Sequence, residues 1–430
     1  MKKLISVMIK VVKLLVAALI LWGGYVWFQA NRSLYQASKE NRTAVASSAQ
    51  EVPIEIAAVY RSGDTDFQEG ILMAVEEINE AGGILMNQED EKFKRKVQVH
   101  MFDDADPYAA HRVAENENIV AVIDNSTSLR AAGDSITYQY HGILYLSCVA
   151  THPNFTEHGF SYVFRTIPTD IEFSREIVKF ALSFGLKNVV FLHARSLYAI
   201  SFAELFRQSV EDIFLESNVD QKQTYLNIVS EKSYWSGEQD LRQAIFSFIK
   251  LDYDAIFIVD GARSAAYLIK QIREMGIKKM IIGSEALDNP QLMEVAGDDA
   301  NGTYMTSIFD SIIVTQADQE AYAFIPRFEK KYGRLPSYWA SQAYEAVHIL
   351  VQVYEKSRQA TPVVVSSTLR VTDELKGLLG ESYSFTHKGD IIGKKIFVKK
   401  IEGGVIKPVK IPAGDFTLKV IKDDGSIYDL

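Results

Sequence analysis

Five segments of the chain share a pattern: an apolar run that stops abruptly in side chains able to hold a small charged molecule. "VAVI" ends in "DNSTS", with Ser126, Thr127 and Ser128; "GILYLS" ends in "CVATHP", with Val149, Ala150 and Thr151; "NVVFLH" ends in "ARSLY", with Tyr198. "AIFIV" ends in "DGARS", with Asp260 and Arg263, and "MIIGS" ends in "EALDNP", with Glu285. Hydroxyls and backbone N–H groups ahead of a helix donate to an anion. Carboxylates accept from a cation. Together the two would suit a zwitterion such as an α-amino acid. Each piece also has a plainer reading. A Ser or Thr before a helix is more often a cap, worth about 1 kcal/mol. Glu285 alone is compatible with solvent, Tyr198 with a core, and Asp260 with pairing to Arg263. Only a shared location turns them into a site, and location depends on the fold.

The elements that would position them alternate. "IEIAAVY" (54–60) reads as a buried strand, and "DFQEGILMAVEEINEAGG" as a helix with Ile71, Val75 and Ile78 on one face and Gly82-Gly83 as its stop. Strand-like and helix-like runs then follow one another through "KMIIGS". That order predicts an α/β architecture of parallel sheets covered on both faces. In doubly wound sheets ligands collect outside the carboxyl ends of the strands, at the switch in strand order. Near the C-terminus "IIGKKIFVKKIEGG" predicts an antiparallel strand pair with a Gly-Gly turn.

At 430 residues the chain has room for two or three domains. With 55 acidic against 46 basic residues, a net charge of −9, it offers no broad basic face for nucleic acid. Cys148 is the single cysteine, which excludes an internal disulfide and any multi-cysteine metal site. The N-terminus runs from Leu14 to Phe28 without a charge, after Lys2, Lys3, Lys10 and Lys13. A bilayer takes about 20 apolar residues, so residues 1–30 are predicted to form an uncleaved membrane anchor, with Met1 in the cytoplasm. No small-x-small cleavage triplet lies near enough for a signal peptide. Residues 31–52 are polar and small, and read as a flexible tether.

The residues from about 54 to 403 resemble the branched-chain-amino-acid type of periplasmic substrate-binding protein, the receptors of ABC importers. "EGILMAVEEINEAGGI" is similar to that family's first helix, and "GILYLSCVATHPNFTEHGFSYVFRTIPTD" to the stretch leading into its first crossover. "MIIGSEALDNPQLMEVAGDDANGTYMTS" and "SFTHKGDIIGKKIFVKK" are similar to the regions of the second and third. The resemblance implies two doubly wound α/β lobes joined by three hinge strands, the type I fold. Residues 53–167 with 306–390 would form lobe I, and 168–305 with 391–430 lobe II. By the same resemblance Ser126 or Ser128, the Val149 backbone, Ala150 and Thr151 would hold an α-carboxylate, Tyr198 would cover the ligand, and Glu285 would take the ammonium. The family often has a tyrosine where this chain has Asp260, which is then an alternative contact. Arg61, in a short loop after the first strand, implies a rebuilt side-chain pocket.

The resulting expectation is a membrane-tethered solute-binding protein in the cytoplasmic membrane. Its globular part would be periplasmic or extracellular, its ligand amino-acid-like, and its partner an ABC permease. The alternatives are a receptor domain that signals to a membrane partner, and a scaffold without a ligand. No cofactor is expected. An enzyme is disfavoured because the chain lacks a G-x-S-x-G elbow, an H-E-x-x-H pair and a phosphate loop. His152 and His158 are poorly spaced for a metal pair. If Glu285 held an ammonium, that charge would lower its pKa, and affinity would fall on acidification.

Overall fold

The computed structural model describes residues 2–48, 52–86, 93–216, 225–309, 311, 319–409, 419–421 and 427–429. A long helix, α1 (Lys2–Ala46), precedes the first strand, β1 (Ile54–Tyr60). Then come α2 (Thr65–Glu80), β2 (Val97–Asp103), β3 (Ile119–Asp124), α3 (Ser128–His141), β4 (Leu144–Ser147) and β5 (Val163–Arg165). These strands form one parallel sheet in the order β2-β1-β3-β4-β5. All six residues of β3 are buried, as a strand covered on both faces requires.

The chain then enters a second body. It contains α4 (Asp170–Ser183), β6 (Asn188–Ala194), α5 (Leu197–Glu216), β7 (Asn227–Tyr234), β8 (Ala255–Val259), α6 (Ala262–Glu274), β9 (Met280–Gly283) and β10 (Thr303–Ser307). Its parallel strands run β7-β6-β8-β9-β10, the same permutation as in the first sheet. After a return to the first body through α7 (Tyr338–Ser357), the chain adds β11 (Phe397–Glu402) and β12 (Val405–Pro408) antiparallel beside β10. Gly403 and Gly404 make the predicted turn, at φ of 61° and 72°.

Lobe I closes because α2 and α7 lie almost backbone to backbone. A Cβ at Gly70 would stand 2.2 Å from the Ala340 carbonyl oxygen, so a larger residue there would force the helices apart. The crossovers between lobes are pinned by Arg165, whose side chain is wholly buried. It donates to Asp390 Oδ1 (2.5 Å), to the carbonyls of Ala150, His152 and Pro153 (each 2.9 Å) and to Thr156 Oγ1 (2.8 Å). One guanidinium thus ties the first crossover to the third, and burial lowers its pKa while Asp390 raises it. Lys394 adds a second tie, to Glu345, Gln342 and the Thr166 carbonyl.

The N-terminal segment departs from the sequence expectation after residue 30. Residues 31–46 are not a flexible tether: α1 continues unbroken to Ala46. Tyr35, Ser38, Arg42 and Ala46 recur at helical spacing, and the last three are buried against lobe I. Arg42 has no exposed surface. Its guanidinium donates to the carbonyls of Ile119 (2.6 Å), His141 (2.8 Å), Ala114 (3.1 Å) and Asn116 (3.2 Å), groups at the end of α3 and at the entry to β3. Carbonyls at a helix end lack intrahelical donors and carry partial negative charge, so a buried cation satisfies them well. Burial pulls Arg42 down to about 10, still charged at neutral pH. The anchor expected in residues 1–30 is not shown. Among the described residues no helix is long and apolar enough to cross a membrane, and several side chains of that segment lie outside the described set.

Candidate functional site

The carboxyl ends of the two sheets face one another across a cleft of about 1180 Å³. In each sheet the order reverses between the first strand of the body and its third, β1 and β3 in lobe I, β6 and β8 in lobe II, which opens a crevice there. In lobe I that crevice is stitched by the Asn125 N–H, which donates to the Val59 carbonyl (2.9 Å), and by Asn125 Nδ2, which donates to Asp64 Oδ2 (2.7 Å).

Of the residues expected from sequence, Arg61, Ser128, Val149, Thr151, Tyr198, Asp260 and Glu285 all line this cleft. Ser126 does not. Its hydroxyl is buried behind the wall and donates to Asp124 Oδ1 (2.6 Å), so of the two candidate serines only Ser128 is placed for a ligand. Ala150 also lies behind the wall, its carbonyl spent on Arg165. Thr127 caps α3 through the Arg130 N–H (3.4 Å) and lines the cleft as well, so capping and lining coexist. Asp260 does not pair with Arg263. Its Oδ1 accepts from Ser236 Oγ (2.9 Å) and the Gly261 N–H (2.8 Å), and its Oδ2 closes no hydrogen bond of good geometry, although the Tyr234 hydroxyl stands beside the carboxyl.

The electrostatics centre on Glu285, which opens a short 3-10 turn after β9 and is 5% exposed. The Tyr198 hydroxyl donates to Glu285 Oε1 (2.9 Å) and lies 2.7 Å from Ser284 Oγ; Glu285 Oε2 has no partner. Desolvation, reinforced by the charge of Asp170, pushes Glu285 up to about 8. Asp170 itself, the first residue of α4, is fully buried with both carboxyl oxygens unpartnered. Desolvation raises it to about 7, against the lowering influence of Thr151 and Arg165. The Thr151 hydroxyl stands beside this carboxyl yet closes no hydrogen bond of good geometry. Burial pushes both carboxyls toward the protonated form. A bound ammonium would reverse that.

Tyr338 and Trp339, which line the cleft, escaped the sequence reading, as did Asp170, which is fully buried outside its lining. Tyr338 and Trp339 form the first turn of α7 behind the Ser337 cap, with ring centroids 4.4 Å apart, and both are buried. The signal available was an aromatic pair directly after an N-cap serine, in a helix read only for its packing. Cys148 is outside the lining, and burial pushes its thiol up to about 12, which suits an inert core residue.

A family model described as "periplasmic binding protein" matches residues 55–404. The chain is 27% identical over 331 residues to a leucine-, isoleucine-, valine-, threonine- and alanine-binding protein of Pseudomonas aeruginosa, covering 75% of this chain and 81% of that one. It is 27% identical over 343 residues to a leucine-specific-binding protein of Salmonella typhimurium, covering 78% and 85%. Among solved structures, an ABC transporter substrate-binding protein from Desulfitobacterium hafniense in complex with Leu superposes with a TM-score of 0.69 at 26% identity, covering 83% of this chain and all of that one. A leucine-binding protein from Thermotoga maritima, at 20% identity and a TM-score of 0.72, shares the fold.

Proposed function

The chain belongs to the periplasmic binding protein family, and from that premise we propose that it captures an α-amino acid between its lobes and delivers it to an ABC-type importer. The observation that carries this reading is the pairing of unpartnered groups in one cleft: Thr151 Oγ1 on lobe I and Glu285 Oε2 on lobe II. Thr151, Ser128 and the backbone at Val149 are placed to take an α-carboxylate. Glu285, held by Tyr198, takes the ammonium, with Asp260 as a second acceptor. Binding favours the closed form by its differential affinity for it, and the importer would read that form. The relatives named above are binding proteins rather than enzymes. Thermal denaturation of the full chain in detergent with and without L-amino acids tests the reading. A ligand at a hundredfold excess over its Kd stabilises by about 2.7 kcal/mol, and Glu285→Gln abolishes that shift; a wild-type chain that no amino acid stabilises would refute it.

We further propose that α1 anchors the protein in the cytoplasmic membrane. Leu15, Val16, Leu19, Ile20, Leu21, Trp22, Tyr25 and Val26 are all exposed large hydrophobics on this helix. Such a cluster is unstable in water without an apolar partner. Alkaline carbonate extraction of membranes checks this: an anchored chain stays in the pellet, and release into the supernatant would count against it.

A further inference from the structure

The cleft contains unmet hydrogen-bond donors beyond those proposed to hold the α-carboxylate. Beyond Thr151, the unpartnered atoms on its lobe I side are Arg61 Nε, the Tyr338 hydroxyl and Trp339 Nε1. Tyr338 and Trp339 are 2% and 5% exposed, so bulk water does not serve them. The three residues form one group: the Tyr338 and Trp339 rings are in contact, and the Arg61 charge acts on Tyr338. Arg61 closes no ion pair among the described residues, and the nearby charge it acts on is the Asp64 carboxylate, also in the cleft lining. An arginine Nε and an indole N–H can only donate. The lobe II side is complementary, with Glu285 Oε2 and Asp260 Oδ2 as unmet acceptors.

Resting on the amino-acid reading above, we propose that the ligand carries an additional oxygen acceptor on its side chain, a carboxylate or carboxamide, held by Arg61, Tyr338 and Trp339. An aliphatic side chain closed against this group would leave two obligate donors buried and unpaired. A site built to hydrogen-bond a substrate group rejects analogues that lack it far more strongly than an apolar pocket rejects a methylene. The ligand class therefore departs from the leucine-type ligands in the names of the relatives. Arg61 selects for the oxygen by charge, while the aromatic pair selects by direction.

Isothermal titration of the full chain in detergent with glutamate, glutamine and leucine tests the proposal. Glutamate or glutamine is expected to bind at least about tenfold more tightly than leucine, the acid ahead of the amide if the Arg61 charge dominates. Trp339→Phe keeps the ring and deletes the N–H. It should weaken the oxygen-bearing ligand about tenfold while leaving leucine unchanged or improved, and Tyr338→Phe should act in the same direction. Melting temperatures of the ligand-free variants separate lost contacts from lost fold. Leucine binding equal to or tighter than both oxygen-bearing ligands would overturn the proposal and leave the amino-acid reading standing. Silence toward all three would overturn the proposal, and silence toward every amino acid would remove the reading beneath it as well.

Discussion

The two lobes have the same parallel strand order and differ in the buried polar atoms they leave without partners at the cleft. Lobe I leaves donors, on Thr151, Arg61, Tyr338 and Trp339; lobe II leaves carboxyl oxygens of Glu285 and Asp260, although side chains of both charges line each side. The shared permutation places a crevice at the same point of each sheet. It is silent on polarity. Polarity is set by a few residues just past each strand end, where the chain is free to vary without disturbing the sheet. The lobes differ in a second respect: lobe I is gripped by α1 through Arg42, whereas the described part of lobe II has no comparable external helix packed on it.

The largest expected effect bears on that grip. Arg42→Met leaves two buried and two half-buried carbonyls without their donor, and unpaired buried acceptors cost about 1–3 kcal/mol each before relaxation. A net loss of about 3 kcal/mol is expected, with faster amide exchange in lobe I than in lobe II; equal exchange in the two lobes would show that the grip is not specific.

Glu285→Gln comes next, because it removes the acceptor charge that sets lobe II apart. Affinity for an α-amino acid should drop about a hundredfold by titration calorimetry, in line with a charge-assisted hydrogen bond. The ligand-free variant should be more stable than the parent at pH 8, since it no longer has to ionise a buried carboxyl.

The pH profile sharpens the same contrast with a smaller effect. Glu285 is raised from 4.5 to about 8 in the folded chain. Its stabilising contribution is therefore complete below the unfolded value and is lost as pH rises through about 8. Asp170 follows the same sign, at about 7. The melting temperature of the ligand-free protein should fall from about pH 5 to about pH 8. Amino-acid affinity should move the other way, rising about tenfold or more between about pH 6 and about pH 8 as the ammonium finds an ionised partner, with proton release. Calorimetry in two buffers of different ionisation enthalpy reads the released proton, and a pH-independent affinity would exclude Glu285 as the ammonium's partner. Thr151→Ala is the mildest test. It removes one hydroxyl from lobe I and should weaken binding several-fold, about 1 kcal/mol.

The architecture was readable because buried strands and amphipathic helices announce themselves by period, from "IEIAAVY" through "MIIGS". The strand-end residues Thr151, Tyr198 and Glu285 were readable because strand ends in such sheets converge. Ser126 and Ser128 were not separable by pattern: one position decides whether a hydroxyl turns toward Asp124 or toward the cleft. Tyr338 and Trp339 enter from a helix some two hundred residues downstream of Ser128, where local pattern shows only a helix start. Arg42 was missed for a different reason. Its helix docks through polar groups, so the period that marks the docked face has no hydrophobic signature, and the segment looks like a linker.

The Arg42 contact has a mechanical corollary. Helix α3 spans from the cleft, at Ser128, to the Arg42 clamp, at His141, a length of about 21 Å at 1.5 Å per residue. Whatever immobilises α1 also immobilises this rod and the sheet beside it. On the readings proposed above, with α1 held in a membrane and an amino acid in the cleft, lobe I would be the stator and lobe II the rotor, and the ligand's carboxylate end would stay still while its ammonium end is approached.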